Sequence, residues 1–251
     1  MSTIAIDEGA RAKLARARYH LLQLQEELST DGEEGRYGVI ATDDLIGRVL
    51  RVRFLLPRHL FIRYSILAGE VVGHARSALD HIVWRMVPSP INGVTGFPVF
   101  RSQKDFDNLG MRKIDGLSQQ AVGLIRNLQP FDENYEADPL WVLNELWNWD
   151  KHRLTVPYPV VPQFLARMYE MPSGEIRQVM SSMPPNLHDG MELTFHHPPF
   201  YSGETQVRVT VISSLQFTEG PAKGQSVSGL FPPLVELAEQ IVDALVNLNE
   251  R

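Results

Sequence analysis

A carboxylate on the apolar face of a predicted helix is the feature of this sequence that most directly suggests chemistry. Residues 139–154, PLWVLNELWNWDKHRL, follow Asp138, which together with Pro139 is typical of a helix start. The apolar side chains of this segment recur at helical spacing: Leu143, Leu146, Trp147 and Leu154. Asp150 falls in the middle of that stripe. Because burying an unpaired ionised carboxylate is costly, Asp150 needs either a cationic partner or a bound proton.

A second predicted helix, at residues 68–87 (AGEVVGHARSALDHIVWRMV), contains candidate partners for that carboxylate. Its apolar stripe consists of Val71, Val72, Ala75, Leu79, Ile82, Val83 and Met86. Arg76 lies on one edge of the stripe, and His74 and His81 lie on the other edge. We therefore predict that the two helices face each other and that Asp150 contacts Arg76 or one of the histidines.

The remaining pattern predicts an α+β fold. Helical spacing of apolar residues recurs at both ends of the chain, over residues 6–28, 117–128 and 230–248. Short alternating runs separated by proline and glycine predict strands at 164–171, 175–180, 191–196 and 206–217. A further strand is predicted near 48–56, where a helix is the alternative. We expect a helical bundle from residues 1–156 and 229–251, with an antiparallel β-sheet inserted at 157–228 before the C-terminal helix.

Composition excludes several classes of chemistry. The 251 residues include no cysteine, which removes disulfides, thiolate nucleophiles and cysteine zinc sites and suits a cytoplasmic location. No apolar run is long enough for a signal peptide core or a membrane span, so we predict a soluble protein without a membrane partner. The net charge of -6 gives no overall attraction to nucleic acid, and an RNA partner would need a local basic surface.

Such a basic surface is predicted between Leu45 and Gly69, where no acidic residue occurs. The cations of this stretch are Arg48, Arg51, Arg53, Arg58, His59 and Arg63. We take Arg51 and Arg53, with Lys151 and Arg153 of the DKHR segment, as candidate substrate-binding residues. The alternative is a solvated strand face, which is the more frequent origin of such charge runs.

Residues 76–81, RSALDH, contain an arginine and a histidine separated by four residues. This spacing resembles the R-x4-6-H signature of the HEPN superfamily, helical-bundle proteins that include many metal-independent endoribonucleases of bacterial defence and toxin systems. The resemblance implies that Arg76 holds a phosphate bidentately and that His81 assists proton transfer at the ribose oxygens. Asp150 would then orient one of the two.

The geometry of one helix places a condition on that resemblance. Residues five apart point about 140° away from each other, so Arg76 and His81 of one straight helix do not converge on one phosphate. Convergence requires a bend or a second subunit, and HEPN enzymes commonly use a dimer interface. The resemblance therefore implies a homodimer.

A wider resemblance runs through GEVVGHARSALDHIVW, FPVF, LIRNLQPF and LWVLNELWNWDKHRL. This succession resembles a widespread group of bacterial proteins that have no assigned activity. The resemblance implies a shared fold rather than a reaction.

Metal and cofactor sites are not predicted. His74, Asp80, His81, Asp150 and His152 offer nitrogen and oxygen ligands, but their spacing does not converge them on one ion. The sequence contains no HExxH motif, glycine-rich phosphate loop or dinucleotide fingerprint. We expect no cofactor.

Two functional hypotheses follow from these residues. The first is a HEPN-like endoribonuclease with Arg76, His81 and Asp150 as catalytic residues. The second is a non-catalytic binding or scaffold protein, in which Arg76, His81 and Asp150 form a structural ion-pair cluster. The two differ in exposure, because a nuclease needs Arg76 and His81 at an open groove and a structural cluster buries them.

Overall fold

The structure is a computed structural model that describes residues 5–34, 36, 38–55, 57–152, 164–182, 188–202, 204–212, 217 and 220–249. Arg153 and Leu154 lie outside the described residues, as does part of the strand predicted at 206–217.

Five longer helices and four short turns make up the helical part of the described chain. The longer helices are α1 (Glu8–Glu33), α2 (Arg58–Met86), α5 (Gln119–Asn127), α6 (Pro139–His152) and α7 (Val227–Asn249). The turns α3 (Gln103–Asp105) and α4 (Met111–Lys113) flank a π-helical turn at Phe106–Gly110, and a 3-10 turn at Tyr135–Ala137 precedes α6.

Local sequence signals explain where these helices begin and end. The Asp138 carboxylate accepts hydrogen bonds from the backbone N–H groups of Leu140 (2.8 Å) and Trp141 (3.1 Å), which confirms the predicted start of α6. Helix α2 follows Pro57 and ends at Val87, whose extended backbone is the conformation that a following proline favours.

Helix α2 is the centre of the bundle and packs against α1, α6 and α7. Its predicted apolar stripe is buried, and the side chains without exposed surface are Ala75, Ala78, Leu79, Ile82 and Val83. The remaining faces of α2 carry its charged and histidine side chains. Every candidate site on α2 is therefore held by the best-packed helix of the bundle.

The six described strands form two antiparallel, three-stranded sheets. The first sheet has the order β1 (Gly38–Asp44), β2 (Val49–Leu55) and β5 (Glu192–His196). The second has the order β4 (Ile176–Ser182), β3 (Phe164–Glu170) and β6 (Gln206–Ile212). Leu50, Val52 and Phe54 of β2 and Leu165 of β3 form one buried cluster, so the two sheets share a small core.

The structure confirms the predicted α+β class, with two small antiparallel sheets where the sequence predicted one. Strand β5 pairs with β2, so the first sheet draws strands from both sides of residue 156. Alternation along β2 shows which face is buried, but it carries no information about which strand lies alongside. The division of the chain into a bundle and an inserted sheet stays a prediction.

In the part of the chain that the structure describes, no helix has both the length and the hydropathy needed to cross a membrane.

Candidate ligand-binding site on helix α2

Arg76 is buried between α2, α6 and the loop at Phe97, with 4% of its surface exposed. Its Nε donates a hydrogen bond to Asn144 Oδ1 (3.1 Å), and its Nη2 donates to the carbonyl oxygen of Phe97 (2.8 Å). Its Nη1 lies 2.7 Å from Asp80 Oδ1, so the two side chains form an ion pair. The geometry of this contact is not that of a hydrogen bond. We call Arg76, Asp80, Asn144 and the Phe97 backbone the Arg76 cluster.

The Arg76 cluster fixes the loop that follows α2. Arg76 binds the Phe97 carbonyl, and Asp80 Oδ1 accepts a hydrogen bond from the Phe97 N–H (2.9 Å). The backbone carbonyl and N–H groups of Phe97 are therefore both hydrogen-bonded, by two side chains that lie one turn apart on α2. The Phe97 ring has no exposed surface, so the cluster anchors a buried aromatic residue.

Asp150 does not meet Arg76, so the contact predicted between these two residues is wrong, and the alternative contact with a histidine stays a prediction. Helices α2 and α6 run antiparallel, with Asn144 beside Arg76, Trp147 beside Gly73 and Asp150 beside Gly69. Gly69 and Arg76 are separated by about 10.5 Å along the helix axis at 1.5 Å per residue. The apolar stripes show which faces meet, but not how far one helix slides along the other. Asp80, at i+4 on the same helix, takes the place predicted for Asp150.

The Asp150 carboxyl points inward over Gly69, as the stripe on α6 predicts. A Cβ atom at residue 69 would lie 2.5 Å from Asp150 Oδ1, so only glycine leaves room for the carboxyl. Burial raises the pKa of Asp150, and the negative charge of Glu70 raises it further. Asp150 is therefore a half-buried acid whose surroundings favour the protonated form.

His81 lies on a different side of α2, at the rim of an open pocket. The pocket has a volume of about 450 Å³ and is lined by Gly9, Asp80, His81, Trp84, Arg85, Asn92 and Thr95. We call it the His81 pocket. His81 is exposed, and its Nδ1 would lie 2.9 Å from a Cβ at residue 9, so glycine in α1 makes room for the imidazole.

The His81 pocket combines cationic and aromatic groups. His81 and Arg85 are one helical turn apart, and Trp84 lies between them in the sequence. Asp80 contributes a carboxylate whose charge is offset by the ion pair with Arg76. The i,i+4 spacing of His81 and Arg85 on a predicted helix was a sequence signal for their proximity, whereas Asn92 and Thr95 come from a loop whose path the sequence does not indicate.

The structure does not bring the three predicted catalytic residues together. Arg76 is buried against α6, His81 is exposed near α1, and Asp150 lies beside Gly69. Helix α2 is continuous through residues 58–86. Arg76 and His81 therefore point in the different directions expected for residues five apart on one helix.

The predicted substrate-binding cations are also dispersed. Arg51 and Arg53 project from the outer face of β2, where Arg51 pairs with Asp44 (3.4 Å) and the strand register places Arg53 opposite Glu192. Lys151 is exposed on α6 and lies over the Trp147 ring. Burial, and then the charge of Arg76, lower the pKa of Lys151. None of these three described cations lines the His81 pocket.

Acidic residues from elsewhere in the chain also reach the basic stretch between Leu45 and Gly69. Arg63 of α2 forms a 2.6 Å ion pair with Glu27 of α1, and Arg51 pairs with Asp44. The stretch is basic in the sequence but partly neutralised in the fold.

A second, larger depression follows the outward face of α6. Its volume is about 640 Å³, and its aromatic lining consists of Tyr135, Trp141 and Trp149. Both signs of charge line it, with Arg101 and Lys223 facing Glu136 and Glu145. Trp147, in contrast, packs inward, with the Arg76 guanidinium 5.1 Å from its ring centre.

Three described side chains are close enough to share a metal ion: His20 of α1 with Glu70 and His74 of α2. His20 and Glu70 were not predicted as site residues. The available signals were the position of His20 in the apolar stripe of α1 and the i,i+4 spacing of Glu70 and His74.

A second polar cluster joins β1 to the segment after β5, with His197 and Tyr201 buried and Asp43 partly open to solvent. Asp43 Oδ1 lies 2.8 Å from His197 Nε2, and the Tyr201 hydroxyl donates a 2.5 Å hydrogen bond to Asp43 Oδ2. The His197 and Tyr201 rings are stacked, with centres 3.7 Å apart. Burial, followed by the hydrogen bond to Asp43, raises the pKa of Tyr201 to about 12. We call Asp43, His197 and Tyr201 the Asp43 cluster.

No family model, curated protein or solved structure matches this chain. The fold and the sites define an α+β protein with a helical bundle and two small antiparallel sheets. Its function is therefore inferred from its own residues.

Proposed function

We propose that this chain is a non-catalytic binding protein in which the Arg76 cluster is structural and the His81 pocket holds a small ligand. The observation that supports this proposal is the burial of Arg76, whose surface is 4% exposed. Three of its nitrogens lie within 3.1 Å of oxygen atoms of the chain itself. A phosphate ligand would have to replace these partners and enter a packed helix interface.

The groups of the His81 pocket fit a small anion that carries a planar ring. Arg85 and His81 provide donors for a phosphate or carboxylate, and Trp84 provides an aromatic surface. Asn92 and Thr95 add side chains that donate and accept hydrogen bonds. The volume of about 450 Å³ lies within the usual range of small-molecule sites. A mononucleotide has all of these features.

Calorimetric titration with the four ribonucleoside monophosphates, and with inorganic phosphate alone, tests the proposed ligand class. Removing Arg85 deletes a charge-assisted hydrogen bond, so Arg85→Ala binds the nucleotide about tenfold or more weakly. Lys223→Ala, in the larger depression along α6, is the matched control and leaves the affinity unchanged. Absence of nucleotide binding, or equal affinity of Arg85→Ala and the wild type, would contradict the proposed ligand.

The second candidate function is the metal-independent endoribonuclease that the HEPN resemblance implies. The exposure of His81 beside Arg85 at an open pocket favours it, since a general acid or base must reach its substrate. In this chain Arg85 would hold the phosphate, because Arg76 is enclosed. RNA as a partner, a homodimer and a cytoplasmic location belong to this candidate.

Incubation of the purified protein with total RNA in EDTA separates the two functions. The binding proposal predicts no cleavage by the wild type. Cleavage by the wild type and by His59→Ala, but not by His81→Ala, would overturn it in favour of the nuclease. His59 is an exposed histidine of the same helix and therefore a matched control. Light scattering of the same samples measures whether the chain is a homodimer.

A further inference from the structure

The side chains of His20, Glu70 and His74 converge between α1 and α2, with His74 about two helical turns from His81 along α2. Glu70 and His74 occupy successive turns of α2, and His74 Nε2 lies 3.3 Å from Glu70 Oε2. The His20 ring is parallel to the His74 ring, with centres 5.6 Å apart. One ligand atom from each of the three residues lies within 4.8 Å of the others.

His20 is the member of this group that the protein fold alone does not explain. The residue is 9% exposed, and its Nδ1 is buried without a hydrogen-bond partner among the described residues. A buried, unsatisfied polar atom typically costs about 1–3 kcal/mol. His20 nevertheless occupies a position in the apolar stripe of α1, beside Ala17 and Leu24. A ligand shared with His74 gives this imidazole a binding role.

The donor set is that of a zinc site with one open position. Zinc takes tetrahedral coordination by imidazole nitrogen and carboxylate oxygen at about 2.0–2.2 Å, and two histidines with one glutamate leave the fourth position to water. Ligand atoms around such an ion are about 3.3 Å apart, which follows from the tetrahedral angle and these bond lengths. Glu70 and His74 already have this separation, and the ligand atom of His20 lies within 4.8 Å of both.

The charges around the group are mixed. The positive charges of Lys13 and Arg16 act on His74 and would repel a bound cation. Glu70 contributes a negative charge that attracts a cation and that also raises the pKa of Asp150. The Arg16 guanidinium is 5.1 Å from the centre of the Tyr19 ring. Burial, and then the positive charge of Lys13, lower the pKa of His74.

We infer that His20, Glu70 and His74 form a zinc site that ties α1 to α2, with water as the fourth ligand. The site needs no ligand in the His81 pocket, so its test is independent of the proposed function. Since α1 and α2 form the main helix pair of the bundle, bound zinc stabilises the folded chain by mass action.

The test uses zinc alone on the full-length chain after treatment with EDTA. The variants are His74→Asn and Glu70→Gln, whose side chains are partly exposed, so that the fold survives the change. His59→Asn, an exposed histidine of the same helix, is the matched control. The measurements are the zinc retained after dialysis, the melting temperature with and without zinc, and the visible spectrum of Co²⁺ bound in its place.

The expected result is about one zinc ion per chain and a zinc-dependent rise of the melting temperature in the wild type and in His59→Asn. Affinity falls by more than about tenfold in His74→Asn and in Glu70→Gln, since each loses a ligand. The cobalt spectrum of the wild type is that of a four-coordinate ion. Absence of binding, or binding by both ligand variants as strong as in the control, would overturn the zinc site.

Discussion

The Arg76 cluster and the Asp43 cluster are two polar clusters that differ in how completely their atoms are paired. In the Arg76 cluster, three guanidinium nitrogens lie within 3.1 Å of oxygens from α2, α6 and the Phe97 backbone. Each cluster has one buried nitrogen without a hydrogen bond among the described residues, Arg76 Nη1 and His197 Nδ1, and next to the Asp43 cluster Tyr169 Oη and Arg167 Nε also lack one. Because Arg76 Nη1 still lies 2.7 Å from a carboxylate oxygen of Asp80, the helical cluster is the better compensated of the two.

This difference shows how secondary structure shapes buried polar clusters. A helix places Arg76 and Asp80 one turn apart on the same face, so that the ion pair forms within one element. The Asp43 cluster joins Asp43 to His197 and Tyr201, which follow it by 154 and 158 positions in the chain, so it depends on the pairing of separate strands. We expect the helical cluster to contribute more stability, and the losses predicted for Asp80→Ala and Tyr201→Phe test that ranking.

The largest expected effect is that of Asp80→Ala. This substitution leaves the buried Arg76 guanidinium without its ion-pair partner, and the free energy of unfolding falls by about 3 kcal/mol. Urea denaturation measures the loss. Asp107→Ala removes the partner of Arg126 in an exposed pair and should change the stability by less than about 1 kcal/mol. Equal losses of unfolding free energy in the two variants would show that burial of Arg76 does not strengthen its ion pair with Asp80.

A smaller loss is expected for Tyr201→Phe in the Asp43 cluster. The substitution removes the hydrogen bond to Asp43, which is worth about 1.5 kcal/mol when the acceptor is charged. Tyr135→Phe, which loses a 3.4 Å exposed contact with Glu136, is the control and changes the stability little. A loss at Tyr201 larger than that of Asp80→Ala would reverse the ranking of the two clusters.

Alkaline pH tests the same tyrosine without a change of contacts. The pKa of Tyr201 is raised from 10.0 to about 12 in the folded chain, so the folded state keeps a proton that the unfolded state releases. The stability that this proton contributes is present below pH 10 and is lost as the pH rises toward 12. The pH dependence of wild-type unfolding in this window should be weaker in Tyr201→Phe, and an unchanged slope would contradict the assignment.

The smallest effect, opposite in sign, is expected for Asp150→Asn. The pKa of Asp150 is raised by burial and by Glu70, so its ionisation destabilises the fold once the pH exceeds the folded pKa. At pH 7 the neutral amide therefore raises the melting temperature, and the gain disappears as the pH falls below 3.8. Glu133→Gln, an exposed acid, is the control. A loss of stability in Asp150→Asn at pH 7 would indicate a cationic partner for the carboxylate.

The sequence predicts the helix faces of this protein better than the contacts between them. Burial of the α2 stripe, the cap at Asp138 and the inward direction of Asp150 follow from helical periodicity and local hydrogen bonding. The partner of Asp150 does not, because the sliding of α6 along α2 depends on how Trp147 packs at Gly73. The i,i+4 spacing of Arg76 and Asp80 was the local signal for the actual ion pair.

The β region shows the complementary limit. The sequence places five of the six described strands near their positions and misses β1 (Gly38–Asp44). The pairing of β2 with β5 joins residues more than a hundred positions apart. The Asp43 cluster depends on that pairing and had no local sequence signal. His20 had only a weak one, since a histidine in an apolar helix stripe is usually a packed core residue.

A double-mutant cycle between Arg76 and Asp80 tests the structural role of Arg76 most directly. The unfolding free energies of Asp80→Ala, Arg76→Met and the double variant are measured by urea denaturation. If Arg76 acts as a structural cation, the double variant is more stable than Asp80→Ala by about 1 kcal/mol or more, since no buried charge is left unpaired. Losses that simply add in the double variant would show that Arg76 and Asp80 are independent and would contradict the account.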